Sequence, residues 1–356
     1  MSSYHLMATF APGFETCISS VLLRSVPFAK NLRVFSGMIL FTTDQIPLTL
    51  LDAGFFNNIF LIAKEWNSPS ISFTDMINSS IQKNCLSPFK TAVSNVIHSS
   101  FRVRFSKANQ FTKVDRSLME RSEQFISKSL DLKTDRLSSG TEFWFLIRNE
   151  GLSFFMIRLT QRDVSLNELH QGELRPETAL LLVAYSSPSY SDLVVADPFA
   201  GYGSIPEQMH LLLPKAHIYV SDSDKTMVEG LKKRFEGNKN LEAHLSDARN
   251  LSFITTGSVN LVVTDPPWGV WKSETYSQDG SIVDLYSGFL SELDRILSFH
   301  GRACILTGAK REFEEAVSLS SSFAHNIGNK GNNEKPGFRT DILVNGKKTA
   351  VFLINR

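Results

Sequence analysis

Residues that build disulfide frameworks and metal sites are scarce in this sequence. The three cysteines, Cys17, Cys85 and Cys304, are far apart and odd in number, which argues against a disulfide framework or a zinc cluster. The eight histidines are scattered, and none has the ligand spacing of an H-E-x-x-H motif. We therefore expect a chain without a metal ion, in the reducing environment of the cytoplasm.

Long apolar runs and a basic leader are also missing. No uncharged apolar run reaches the roughly 18 residues that a membrane-spanning helix needs. The first lysine or arginine is Arg24, so the sequence starts without the basic region of a secretory signal peptide. These absences predict a protein that is not exported and has no membrane partner.

Net charge is nearly absent, but the charges are unevenly distributed. The chain carries a formal charge of +1. Residues 1–175 contain 19 basic and 15 acidic side chains, and residues 98–148 contain ten basic and six acidic ones. The low net charge is therefore compatible with a nucleic-acid partner. The excess of basic residues in the first half predicts a modest basic face there.

The remaining composition indicates a folded protein of two or three domains. The chain has 356 residues, of which 42% are hydrophobic and 21% are charged, and these proportions are typical of globular proteins. From residue 193 onward, short β-branched segments alternate with helical patterns, which predicts parallel βαβ units. The predicted strands cover residues 193–196, 217–220, 259–264 and 303–307.

Two further patterns complete the prediction for the second half. Apolar residues recur at helical spacing over residues 286–299, and Gly301 follows as a stop. Asn345-Gly346 lies between two apolar segments, residues 342–344 and 349–354, which indicates a type I′ turn in an antiparallel hairpin. We therefore expect a mixed α/β sheet whose last two strands are a hairpin.

The first half of the chain is less regular and is predicted to be α+β. Apolar segments at residues 38–41 and 58–62 predict strands. Residues 117–130 predict a helix whose inner face carries Leu118, Phe125, Ile126 and Leu130.

A glycine-rich turn follows the first predicted strand of the second half. The strand runs into Asp197 and Phe199, and then into Gly201-Tyr202-Gly203. Glycine lets a ligand approach the backbone closely, and such turns lie at the carboxyl edge of an open α/β sheet, where ligands bind. The alternative is that the two glycines serve only the sterics of the turn.

Two more strands also end in acidic residues. Asp222 stands where nucleotide-binding folds place an acid that accepts hydrogen bonds from ribose hydroxyls, whereas Asp224 is expected to cap the next helix. Asp247, before Ala248, is placed to accept a hydrogen bond from an adenine amino group. Each of these acids has an alternative interpretation as a helix cap or a solvated loop residue.

The segment Asp265-Pro266-Pro267-Trp268 follows the predicted strand at residues 259–264 and carries the most specific signal. Two prolines fix the backbone and lack N–H groups, so they form a rigid platform on which the Asp265 carboxylate and the Pro266 carbonyl can point at one exocyclic amine. The Trp268 ring offers a face on which a nucleobase can stack. The alternative is a rigid turn with a core tryptophan.

These four segments, in this order, resemble the amino-methylating class I S-adenosylmethionine-dependent methyltransferases. The resemblance covers residues 172–356 and implies a Rossmann-like seven-stranded mixed sheet with a C-terminal antiparallel hairpin. It also implies S-adenosylmethionine as the cofactor. The implied cofactor-binding residues are Asp197, Phe199, Gly201, Gly203, Asp222, Asp247 and Ala248, and the implied catalytic residues are Asp265, Pro266, Pro267 and Trp268. Tyr202 departs from the family pattern, where a smaller residue is usual, so affinity for the cofactor is the property that it puts in question.

A second and more diffuse resemblance concerns the first half. The segment at residues 101–105, the basic region after it and the segment at residues 172–177 resemble the THUMP-containing RNA methyltransferases. That resemblance implies a ferredoxin-like segment over residues 1–85, a THUMP-like RNA-binding domain over 86–165 and a catalytic domain over 166–356. It implies methylation of guanine N2, usually in tRNA. The candidate phosphate contacts are Arg102, Arg104, Lys107, Lys113 and Arg116.

Two other functions are compatible with the same residues. Asp-Pro-Pro-aromatic also suits an adenine-N6 methyltransferase acting on RNA or DNA. A catalytically silent RNA-binding scaffold is the third reading, against which the intact Asp197, Asp222 and Asp265 argue.

Overall fold

The computed structural model describes residues 3–46, 54–86, 99–137, 140–160, 169–269, 281–331, 337–344 and 346–356. The chain divides into two compact units. The first comprises residues 1–10 and 22–164, and the second comprises residues 11–21 and 165–356.

The first unit is built on one mixed sheet of nine strands. The strands are β1 (Tyr4–Thr9), β2 (Lys30–Phe35), β3 (Met38–Thr43), β4 (Asn58–Asn67), β5 (Ser100–Lys107), β6 (Gln110–Phe111), β7 (Lys133–Thr134), β8 (Thr141–Ile147) and β9 (Leu152–Arg158). Their order is β2-β3-β1-β4-β9-β8-β5-β6, with β7 also paired with β5. Strand β5 runs parallel to β7 and β8, and the other pairs are antiparallel.

The helices of the first half are α1 (Glu15–Ser25), α2 (Phe73–Lys83) and α3 (Arg116–Leu130). The predicted strands at 38–41 and 58–62 are confirmed as parts of β3 and β4. The predicted helix at 117–130 is confirmed as α3, with Phe125 and Ile126 buried. Leu118 and Leu130, which were also predicted to face inward, are only half-buried. The division of this region into a ferredoxin-like and a THUMP-like domain stays a prediction.

The second unit has a Rossmann-like sheet of seven strands, as expected. Its strands are β10 (Val194–Asp197), β11 (His217–Asp222), β12 (Leu241–Leu245), β13 (Val259–Thr264), β14 (Leu297–Thr307), β15 (Arg339–Val344) and β16 (Lys347–Asn355). The order is β12-β11-β10-β13-β14-β16-β15. Strands β10 to β14 are parallel, and β16 is antiparallel to both β14 and β15.

The helices after residue 175 are α4 (Pro176–Tyr185), α5 (Ser204–Leu212), α6 (Lys225–Arg234), α7 (Ile282–Ile296) and α8 (Lys310–Leu319), followed by a 3₁₀ turn (Ala324–Asn326). The predicted hairpin is confirmed. Asn345 lies outside the described residues, and Gly346 has φ 79°, the left-handed conformation that such a turn needs.

The prediction of a helix over residues 286–299 was wrong at both ends. Helix α7 begins at Ile282, because the Ser281 side chain accepts the backbone N–H of Asp284 while the Asp284 side chain accepts that of Ser281. It ends at Ile296, and strand β14 starts at the next residue. Gly301 is therefore not a helix stop but a strand residue, where a Cβ would lie 2.8 Å from the Val259 carbonyl oxygen.

The strand order determines where functional groups can meet. Because β10, β11, β12 and β13 are neighbours and parallel, their carboxyl ends lie on one edge of the sheet. Each of these strands ends in, or is followed by, one of the acidic residues that the sequence singled out. Asp197 and Asp222 end β10 and β11, and Asp247 and Asp265 follow β12 and β13.

Candidate active site

A cavity of about 730 Å³ opens at this edge of the second sheet. Its volume is in the range of small-molecule and cofactor sites, roughly 300–1,000 Å³. The predicted residues that line it are Phe199, Gly201, Asp222, Asp247, Ala248 and Asp265. Within the described part of the wall, Asp197, Gly203, Pro266, Pro267 and Trp268 are not lining residues.

The two glycines of the turn after β10 are needed for different structural reasons. Gly201 has φ 48°, and a Cβ placed there would meet no atom within 4 Å. Gly203 has φ 92°, and its Cβ would lie 2.9 Å from a methyl group of Leu231 on α6. Gly201 therefore leaves space above the backbone for a ligand, whereas Gly203 lets the turn pack against a helix.

Asp222 connects the end of β11 to this turn. One carboxylate oxygen accepts the Gly201 backbone N–H at 3.0 Å, and the other accepts that of Asp224 at 2.9 Å. Burial raises the pKa of Asp222, and the backbone hydrogen bonds oppose that rise. Asp224 caps α6 through a 2.7 Å bond from the Thr226 N–H, as predicted.

Asp197 joins the ends of two strands beside the cavity. Its Oδ1 accepts the Thr264 hydroxyl at 2.6 Å and the Phe199 N–H at 3.2 Å. Its Oδ2 is buried and has no hydrogen-bond partner among the described residues. Burial raises the pKa of this carboxyl to about 7. Its placement favours a supporting role beneath the cofactor turn over direct contact with a ligand in the cavity.

The Asp247 carboxylate accepts hydrogen bonds from the nearby Arg249 side chain. The guanidinium donates to both carboxylate oxygens, at 2.6 Å to Oδ2 and 3.0 Å to Oδ1, and this hydrogen bonding lowers the pKa of Asp247. Asp247 lines the cavity, so an acceptor stands at the expected place. A ligand amine would share it with the guanidinium, and the adenine contact stays a prediction.

The Asp-Pro-Pro-Trp segment forms a tight turn around one carboxyl group. The Trp268 indole Nε1 donates to Asp265 Oδ1 at 2.7 Å. Among the described residues no other hydrogen bond reaches this carboxylate, and burial raises its pKa to about 8. The Pro267 carbonyl accepts the Tyr286 hydroxyl at 2.6 Å.

Several residues that hold the site were not found from the sequence. Tyr202 is stacked on His170, with ring centroids 4.4 Å apart and planes 7° apart. Glu173 accepts hydrogen bonds from Ser204 and from the His170 backbone. Tyr202 therefore lines the cavity and joins its wall to the segment before α4. Residue spacing does not predict the contacts of Tyr202 with His170 and of Ser204 with Glu173, because these residues are distant in sequence.

The candidate RNA-binding residues lie in the first unit and fall into two groups. Arg102 and Arg104 on β5 both reach Glu142, which Arg158 also contacts at 3.0 Å. The other group is exposed. Arg116 pairs with Glu120 at 2.7 Å, whereas Lys107 and Lys113 have no carboxylate partner within the described part of the chain.

Comparison with known proteins identifies a similar domain family and similar structures. Residues 166–332 match the methyltransferase domain of the RMKL-like family UPF0020. No curated protein is significantly similar to the sequence. TrmN from Thermus thermophilus has a similar structure, with a TM-score of 0.76 and 18% identity over 99% of both chains. Residues 166–332 therefore form a methyltransferase domain, for which S-adenosylmethionine is the cofactor.

Two other solved structures share the fold over the whole chain. The SMU.472 protein, solved as a complex with SAH, has a TM-score of 0.66 at 13% identity and is covered over 98% of its length. A protein from Listeria monocytogenes described as a predicted N6-adenine-specific DNA methylase has a TM-score of 0.66 at 14% identity and is covered over 96%. Both matches cover 99% of this chain.

The methyltransferase domain has a site that fits its cofactor, S-adenosylmethionine. The open space above Gly201 and the Asp222 carboxylate offer a backbone cradle beside a hydrogen-bond acceptor. Among the described residues, no cluster of three or more His, Cys, Asp or Glu side chains is placed to hold a metal ion. In the same part of the chain, no helix has the length and apolarity required to span a bilayer.

We predict that Asp222→Ala weakens binding of S-adenosylhomocysteine at least tenfold, because the substitution removes a partly desolvated acceptor from the cavity. Titration calorimetry measures the dissociation constant. Glu229→Ala is the control, an exposed acid on α6 that is not among the described lining residues of the cavity, and we expect less than a threefold change. An unchanged constant in Asp222→Ala would refute the assignment.

We predict that Asp197→Asn makes the stability of the domain less sensitive to pH between about 4 and 7. A carboxyl whose folded pKa is raised to about 7 lowers the free energy of unfolding as pH rises from about 4 towards that value, because the unfolded chain has released the proton that the folded state still binds. From pH 5 to 8 the wild type should lose roughly 2–3 kcal/mol more than the variant. Denaturant unfolding at both pH values measures the difference, and equal losses would show that Asp197 is already ionised in the fold.

Proposed function

We propose that this protein transfers a methyl group from S-adenosylmethionine to the exocyclic N2 amine of a guanine in RNA, with tRNA as the substrate. The observation that carries the proposal is the position of Asp265. Its carboxylate lines the same cavity as Gly201 and Asp222, so an amine held by Asp265 would lie beside the cofactor site.

The chain's own groups suit the chemistry of an exocyclic amine. The lone pair of such an amine is delocalised into the base, so the nitrogen is a poor nucleophile. A hydrogen bond from the amine to Asp265 Oδ2 helps to localise that pair, and the same carboxylate can take the proton that the nitrogen releases. When bound, S-adenosylmethionine supplies a methyl group activated by its sulfonium. Much of the rate then comes from holding the amine in the correct place.

The restraints on the Asp265 turn support this positional role. Trp268 Nε1 holds one carboxylate oxygen, and the Tyr286 hydroxyl holds the Pro267 carbonyl. Tyr286 is fully buried and also shares a 2.8 Å hydrogen bond with Thr307 at the end of β14. Groups fixed in this way need little reorganisation when a base enters.

RNA as the substrate is supported by the resemblance of the first half to THUMP-containing enzymes and by its charge. Exposed Lys107 and Lys113 are available to phosphates. Arg102, Arg104 and Arg158 share a single carboxylate, so their group retains positive charge. A guanine within a helix must first be extruded, at a cost of a few kcal/mol.

Transfer of labelled methyl groups to unmodified tRNA, followed by nucleoside digestion, tests the base and the position. N2-methylguanosine is the expected product. N6-methyladenosine without N2-methylguanosine would show that the protein methylates the N6 amine of adenine instead. Binding of RNA without transfer, combined with no binding of S-adenosylmethionine, would identify a silent scaffold.

We predict that Asp265→Asn lowers methyl transfer at least a thousandfold and changes the dissociation constant of S-adenosylhomocysteine by less than threefold. The amide keeps the shape of the turn but cannot accept the proton from the amine. Single-turnover transfer and calorimetry measure the two effects. Equal losses in both would show that Asp265 is structural.

The wild-type rate should also depend on pH through Asp265. Since burial raises the pKa of this carboxyl and the carboxylate is the active form, the rate rises with pH. We expect the midpoint of the acidic limb well above the ordinary carboxyl value of about 4. A midpoint near 4 would contradict this dependence.

We predict that Lys107→Glu combined with Lys113→Glu weakens tRNA binding at least tenfold and flattens its dependence on salt, because fewer counterions are released on binding. Filter binding from 50 to about 300 mM salt gives the slope. Lys215→Glu combined with Lys239→Glu is the control, two exposed lysines of the second unit whose reversal gives the same change in charge. Equal losses in the two variants would assign the effect to total charge.

A further inference from the structure

The Trp268 ring is fixed by a close approach to the backbone after β14. A Cβ at residue 308 would lie 2.7 Å from Cε3 and 3.0 Å from Cδ2 of the indole. Only a glycine at this position leaves room for the ring. The Lys347 ammonium lies 5.9 Å from the ring centroid, within range of a cation–π contact.

The fixed ring directs its one polar atom at the candidate catalytic carboxyl. The Nε1–H donates to Asp265 Oδ1 at 2.7 Å, which is a short charge-assisted hydrogen bond when the carboxyl is ionised. Phenylalanine has an aromatic face of similar kind but no such donor, and the tyrosine hydroxyl lies elsewhere on its ring. The bond is therefore a property of tryptophan at this position.

The position of the ring argues against stacking as its main role. Asp265 lines the cavity, but in the described part of the wall Trp268 does not. One side of the indole is occupied by Gly308. A stacking platform would be expected to present its face to the cavity that receives the base.

We propose that Trp268 is a positioning residue, whose indole N–H holds Asp265 Oδ1 so that Oδ2 remains oriented to accept the target amine. The inference rests on the proposed amine methylation, but it does not depend on whether the amine belongs to guanine or adenine. It replaces the stacking role that the sequence suggested for Trp268.

The charge environment makes this hydrogen bond consequential. Burial and the nearby Asp197 both raise the pKa of Asp265, whereas the bond from Trp268 lowers it. Among the described residues, the other titratable groups that contact this segment are Tyr286 on α7, at the Pro267 carbonyl, and Lys347 on β16, at the indole ring. Removing the indole N–H therefore favours the protonated form of Asp265, which cannot accept the amine proton.

Trp268→Phe and Trp268→Leu separate the two roles. If the N–H positions Asp265, both variants lower kcat at pH 7 about tenfold or more, and both move the acidic limb of the pH–rate profile to higher pH. The KM for RNA and the dissociation constant of S-adenosylhomocysteine should stay within about threefold. If the ring stacks on the base, Trp268→Phe keeps wild-type kcat and pH dependence while Trp268→Leu raises KM, and the inference is overturned.

Gly308→Ala provides a variant that keeps the tryptophan, in case the Trp268 variants fail to bind S-adenosylhomocysteine. The added methyl group displaces the indole from Asp265, and the same alkaline movement of the pH profile is expected. An unchanged profile in this variant, with intact cofactor binding, would overturn the inference.

A readout without RNA keeps this test independent of the proposed function. Carboxyl ¹³C NMR, assigned with Asp265→Asn, gives the pKa of Asp265 in the wild type and in Trp268→Phe. A higher pKa in the variant supports the inference even if no RNA is methylated, a result that would refute only the proposed function. Identical pKa values would refute the inference even if tRNA is methylated.

Discussion

The hydrogen bond from the Thr264 hydroxyl to the buried carboxyl of Asp197 ties together the carboxyl ends of β10 and β13. These adjacent central strands carry the glycine turn on one side and the Asp-Pro-Pro-Trp turn on the other. Since each turn begins at the residue after its strand, the parallel pairing of β10 with β13 sets the register of the two turns, and this bond adds a side-chain contact at their ends. The cavity, the candidate cofactor contacts and the candidate catalytic carboxyl all depend on that register.

The same edge of the sheet concentrates acidic groups that are costly to ionise. Burial raises the pKa of Asp197, Asp222 and Asp265, and the nearby Asp197 further raises that of Asp265. S-adenosylmethionine carries a positive sulfonium, so its binding would stabilise the ionised forms of these acids. Cofactor binding and activation of Asp265 are thereby expected to be coupled through charge, without any change of shape.

Much of this arrangement could be predicted from sequence because its signals are local. The strand-then-acid pattern located β10, β11, β12 and β13, and the Asn-Gly pair located the hairpin. The end of α7 could not be located in this way, since Leu297 fits both a helical face and a buried strand, and pairing with β13 decides between them. The stacking of Tyr202 on His170 and the close packing of Trp268 against Gly308 are tertiary contacts. The spacing of residues along the sequence does not predict such contacts. The side-chain donors to Asp265 and Asp247 were missed for a related reason, because a motif specifies which residues are present but not which hydrogen bonds they prefer.

The reversed final strand has a consequence for shortened forms of the protein. Strand β16 pairs with β14 on one side and β15 on the other, and its Phe352 and Ile354 are fully buried. A premature stop codon that removed the last ten residues would leave β14 as an open sheet edge and uncover apolar side chains beneath it. Open edges of this kind recruit other chains, so such a product would be directed to aggregation or degradation although every residue of the candidate site remained in the chain.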